Sequence, residues 1–159
     1  MVGRVRRTRR KRRPARMGGR MADEQKPPIN VELIWESDLR FGARTDGHQL
    51  VIDGDGAVGM APMQLVACGL AGCMAIDVVH ILARGRQAVA GLGVRLAADR
   101  AQGPPAYYTR MRLHFVLKGD VPDEAVERAL QLSRDKYCSV WHSLRRDIDL
   151  ETTFEVVGA

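Results

Sequence analysis

A chain of 159 residues is long enough to bury roughly two thirds of its unfolded surface in one domain, so folding requires neither a disulfide framework nor a metal staple. Three cysteines cannot build such a framework, and an odd number of thiols without a secretory signal predicts a reducing, cytoplasmic setting. The net charge of +6 would ordinarily point to an anionic partner. Ten of the 25 basic residues, however, fall within residues 1–20, which hold no acid. The other 15 face 19 acids, so the body from Met21 onward carries −4.

The run from Arg4 to Arg16 repels itself and offers almost nothing to bury, so residues 1–29 are predicted to be a disordered basic tail ahead of a folded domain at 30–159. Two readings of the tail stay open. It is a phosphate-neutralising patch for nucleic acid or an anionic membrane, or it is an over-extended start ahead of Met17 or Met21. A signal peptide is not predicted, because Met17-Gly18-Gly19-Arg20 stands where an apolar core would be needed.

Asn30 to Glu36 and Leu39 to Thr45 alternate as two strands of a hairpin, and Asp46-Gly47 turns the chain into a third at His48 to Asp53. Asp53-Gly54-Asp55-Gly56 resembles half a calcium loop but lacks the remaining ligands, so it reads as a turn. Residues 57–76 carry no charge and are long enough to be weighed as a membrane span. Gly59, Pro62, Gln64, Gly69 and Gly72 lower their hydropathy, and Asp77 and His80 follow within a turn. No membrane partner is predicted. The same stretch reads instead as a central buried helix, started by Pro62, running to about Ala83 and stopped by Arg84-Gly85-Arg86.

Strands follow at about Ala88 to Asp99 and Tyr107 to Lys118. Pro122-Asp123-Glu124 opens a second helix with a buried stripe of Val126, Ala129, Leu130 and Ser133. A short helix at Ser139 to Leu144 and a closing strand at Asp147 to Val157 complete a βββαββαβ order. That order predicts an α+β fold with an antiparallel sheet backing two main helices.

Chemistry concentrates on the thiols. Cys73 lies eleven positions beyond Pro62, too deep for the helix N-terminus to lower its pKa, so a cation from elsewhere in the fold must act on it. His80 is two turns away, about 10.5 Å of rise, which excludes a direct hydrogen bond. Asp77, one turn on, would raise the thiol pKa and reads as structural. Cys68 lies about 140° round the helix from Cys73 and is assigned to packing. No CxxC or HxxxH pair supports a metal, and no Ser nucleophile elbow, phosphate loop or RNA-binding signature is present, so no cofactor, metal or nucleic-acid partner is predicted for the body.

The segment Pro62-Met63-Gln64-Leu65-Val66-Ala67-Cys68-Gly69-Leu70-Ala71-Gly72-Cys73, with Lys136-Tyr137-Cys138-Ser139 downstream, resembles the OsmC/Ohr family of thiol-dependent organic hydroperoxide reductases, most closely its OsmC-like branch. The resemblance runs from about Val31 to Val157. It implies an OsmC-like fold in an intertwined homodimer, with Cys73 as the peroxidatic thiol and Cys138 as the second cysteine that closes a disulfide. It further implies an arginine from the N-terminal strands as activator, best matched by Arg40 with Arg44 second, and a dithiol reductant such as a lipoylated protein. Gln64 occupies the position of the glutamate that helps to place that arginine. The alternative is an OsmC-like protein that senses redox state or binds a small ligand without turnover.

Overall fold

The computed structural model describes residues 26–158, so the expectations for residues 1–20 lie outside the described residues. From Val31 onward the elements are β1 (Glu32–Ser37), β2 (Arg40–Thr45), β3 (His48–Asp53), α1 (Pro62–Arg84), β4 (Ala88–Arg100), β5 (Tyr108–Asp120), α2 (Asp123–Leu132), a π-helical turn (Ser133–Tyr137), α3 (Ser139–Ser143) and β6 (Asp149–Val157). The predicted α+β order holds, with the strands divided into two three-stranded sheets, β1-β2-β3 and β4-β5-β6.

One pairing departs from the antiparallel expectation: β5 and β6 run parallel, from Arg110 opposite Asp149 to Lys118 opposite Val157. Parallel neighbours need a crossover rather than a hairpin, and α2, the π turn and α3 supply it. β5 is the central strand of its sheet and alternates strictly. Met111, Leu113, Phe115 and Leu117 are fully buried or nearly so and share the core with Val126, Ala129 and Leu130 of α2. The other face of the sheet is polar. There Arg112 pairs with Asp99 at 2.7 Å and Arg110 with Glu151 at 2.8 Å. β4 carries a bulge opposite Gly119, whose φ of +129° brings the position a Cβ would occupy to 2.1 Å from the Ala88 carbonyl oxygen.

α1 starts at Pro62 as predicted, with the Ala61 N–H donating to Gln64 Oε1 at 2.9 Å, the reach-back of a residue in the first turn. Its stop is made one residue later than the glycine. Arg86, not Gly85, adopts the left-handed conformation (φ 58°), and the Gln87 N–H returns to the Leu82 carbonyl. One chain buries a single edge of the largely apolar α1. Leu70, Met74, Val78 and Leu82, spaced by four, form the buried edge, whereas Cys68, Gly69, Gly72, Ile76 and Val79 are exposed. The helix is long and apolar enough to cross a membrane, yet its Leu70 edge is covered by the core.

The first sheet is apolar and open on both faces: Leu33, Ile34 and Trp35 of β1 are all exposed. Its connection to α1 is organised by Asp53, whose carboxylate accepts the N–H groups of Asp55 and Val58, each at 3.0 Å. These bonds, led by Val58, hold the Asp53 carboxyl below the usual carboxylate range. The Asp-Gly-Asp-Gly stretch is thus the turn that the sequence predicts.

Candidate active site

Cys73 and Asp77 are one turn apart on α1 and therefore share a face. That face meets the crossover between β5 and β6. The chain there leaves α2 through a π-helical turn in which the Cys138 N–H donates to the Ser133 carbonyl at 2.8 Å. Closing the ring over five residues brings Ser133 and Cys138 to the same side, where both are fully buried. Ser133 Oγ then donates to Asp77 Oδ2 at 2.8 Å, tying the turn to α1.

The outcome is a compact trio. A ligand atom from each of Cys73, Asp77 and Cys138 lies within 4.8 Å of the other two. Cys73 is half-buried and Cys138 is fully buried. Cys138 is also the N-cap of α3, its sulfur accepting the Trp141 N–H at 3.4 Å. Burial pushes the Cys138 thiol up to about 12. The Trp141 N–H opposes that shift, and the neighbouring Cys73 and the Asp77 carboxylate add to it. A thiol in this setting keeps its proton at neutral pH, which suits a partner held in reserve rather than a first nucleophile.

The fold therefore brings together two of the four residues singled out from the sequence. Of the other two, Arg40 lies in the first sheet, where its Nη2 is 3.9 Å from Asp53 Oδ2 and its buried Nε finds no acceptor among the described residues. Gln64 spends its side-chain oxygen on the start of α1. His80 is exposed, in keeping with its exclusion on distance. Cys68, assigned to packing, is instead exposed, with Sγ 3.8 Å from Met60 Sδ.

Sequence reasoning gave Asp77 a purely structural role. Its bond to Ser133 is structural, but its position beside both sulfurs is a property of the π turn, which no periodicity announces. Beside α1 runs an apolar groove of about 670 Å³ lined by Met60, Met63, Cys68, Leu96, Arg100 and Tyr108 among others; Cys73 is not part of its wall.

The family model described as OsmC-like protein matches residues 53–153, which include α1 and both thiol segments. The chain belongs to the OsmC-like protein family. Protein YhfA of Escherichia coli strain K12 is 41% identical over 134 residues, spanning 82% of this chain and 100% of that protein. Among solved structures, a hypothetical protein from Aquifex aeolicus VF5 superposes with a TM-score of 0.79 at 29% identity, covering 84% of this chain and 99% of its own. An organic hydroperoxide resistance protein OsmC from Legionella pneumophila superposes at 0.63 and 15% identity, covering 82% and 98%, a likeness of fold. The α+β arrangement of the OsmC-like chain is thus shared with its structural neighbours.

Proposed function

We propose that this OsmC-like protein is a cysteine peroxidase that reduces organic hydroperoxides and stores the oxidising equivalents as a Cys73–Cys138 disulfide. The observation that carries the reading is the meeting of a half-buried and a fully buried thiol from positions 65 residues apart (138 − 73). The Cys73 thiolate attacks the distal oxygen of the hydroperoxide, the O–O bond breaks, and the alcohol leaves as Cys73 becomes a sulfenic acid. Cys138 then displaces water from that sulfur, and a dithiol such as a lipoylated protein reduces the disulfide by exchange. The balance is one hydroperoxide and one dithiol consumed, one alcohol, one water and one disulfide produced.

The activating cation is supplied, in this reading, through an intertwined cytoplasmic homodimer. Exposed apolar residues on β1 and on the open edge of α1, including Trp35 at 65% and Ile76 at 71%, support a second copy as their cover. A Cβ at Gly69 or Gly72 would meet nothing within 4 Å in one chain, so neither glycine is required by its own fold. Arg40, with an unpartnered Nε, serves as the group that acts on Cys73, and Gln64 lies at the edge of the site rather than holding Arg40 by charge.

The test is consumption of cumene hydroperoxide with dihydrolipoate by wild type, Cys73→Ser and Cys138→Ser, alongside sedimentation to establish oligomeric state. Saturable turnover in wild type, none in Cys73→Ser and a single turnover in Cys138→Ser are expected. Absence of turnover in wild type would overturn the reading. It would favour a second one, ligand binding without chemistry, for which the groove beside α1 is the supporting observation.

A further inference from the structure

The disulfide-forming step poses a problem that the thiol pair alone does not solve. Cys138 must lose its proton to attack, yet it is fully buried and its thiol is held protonated. The groups facing it are Cys73 and Asp77 from α1, the Ser133 hydroxyl of the π turn, and the Trp141 N–H of α3. The charged side chains of the same turn, Arg134, Asp135 and Lys136, are exposed. Among the described residues, the Asp77 carboxylate is the inward-facing proton acceptor independent of the redox couple.

We propose that Asp77 is the general base of disulfide closure, taking the Cys138 proton and returning it to the hydroxide that leaves Cys73. The proposal rests on the peroxidase reading above. An Asp77 oxygen lies within 4.8 Å of both sulfurs, inside the reach of one bridging water, so donor and recipient of the proton are both served from one place. Ser133, donating to Oδ2, fixes the carboxylate and leaves its other oxygen uncommitted to that bond. In the step, Asp77 accepts the S–H proton and the Cys138 sulfur forms a bond to the Cys73 sulfur. The S–O bond of the sulfenic acid breaks with its electron pair, and the departing hydroxide takes the proton from Asp77. One water is formed, one disulfide is made, and the carboxylate is restored. Asp77 thus acts on one half of the cycle. It takes no part in the attack on the hydroperoxide and is required for closure.

The experiment is a stopped-flow single turnover with one equivalent of cumene hydroperoxide on the full-length protein, with a chelator present throughout. Trp141 fluorescence follows closure, and a sulfenic-acid-specific diketone traps the intermediate. Asp77→Asn is expected to form the sulfenic acid at least as fast as wild type and to close the disulfide about 100-fold or more slowly. The slow closure should gain a tenfold rise per pH unit between pH 7 and 9, while wild type is nearly flat there; Asp77→Glu should restore part of the rate. Closure at the wild-type rate in Asp77→Asn would overturn the proposal. So would a wild-type closure rate that itself rises tenfold per pH unit, a result that needs no folded variant. Failure of wild-type Cys73 to form any sulfenic acid would instead overturn the peroxidase reading.

Discussion

Replacing Ser133 by alanine tests the geometry of the site without invoking any chemistry. The hydroxyl is fully buried and donates at 2.8 Å to a carboxylate that is itself half-buried. A hydrogen bond to a charged acceptor contributes about 1.5–3 kcal/mol. Alanine returns about 0.5 kcal/mol through its better helix propensity. The net loss should be about 1.5 kcal/mol, which for a domain of this size lowers the thermal midpoint by about 3–6 °C. Urea unfolding of reduced protein at fixed protomer concentration measures it, with Asp77→Ala and the double variant closing a cycle. Because each single variant already breaks the bond, the double variant should fall short of the sum by about 1.5 kcal/mol or more. A Ser133→Ala loss under about 0.5 kcal/mol, or a cycle that closes additively, would refute the claim that this bond ties the π turn to α1.

Two more expectations follow from the packing. The Cys138 thiol is raised in the fold from an ordinary value of 9.0 to about 12, so the folded chain keeps a proton that the unfolded chain releases. Its contribution is complete below pH 9 and declines above it, at up to about 1.4 kcal/mol per pH unit. Alkaline urea titration of wild type against Cys138→Ala should show that decline only in wild type, and equal slopes would contradict it. Gly119→Ala places a Cβ 2.1 Å from the Ala88 carbonyl oxygen at a φ of +129° and should cost about 3 kcal/mol, read as a shift in urea midpoint; a change under about 1 kcal/mol would mean that the bulge opposite relaxes freely.

Much of this architecture was legible from local chemistry. His48 to Asp53 lies between an Asp-Gly turn and an Asp-Gly-Asp-Gly turn, and those turns bound the strand. Pro62 marks the start of α1, and the stripe Val126, Ala129, Leu130 and Ser133 is buried as its spacing requires. What was not legible depends on partners rather than on propensity. Alternation in Asp149–Val157 reports a strand but not the direction of the neighbour it joins, and a crossover of two short helices decides for parallel. The segment Ser133-Arg134-Asp135-Lys136-Tyr137 has nothing in its residue types to require a π turn, yet that turn aligns Ser133 with Cys138 and brings Asp77 into the site. Likewise the apolar character of α1 does not say which face one chain covers and which it leaves open.

The crossover has a further consequence for the order in which the two thiols come into existence. Synthesis at about 5–20 residues per second separates Cys73 from Cys138 by roughly 3–13 s, and the parallel strand that follows the crossover, Asp149–Val157, emerges after both. Through that interval the nascent chain carries Cys73 without the partner that the proposed cycle gives it. The buried environment of Cys138 requires the crossover to pack against α1, which carries Cys73 and Asp77. The protection of this one sulfur is therefore a readout of whether the crossover has docked on α1.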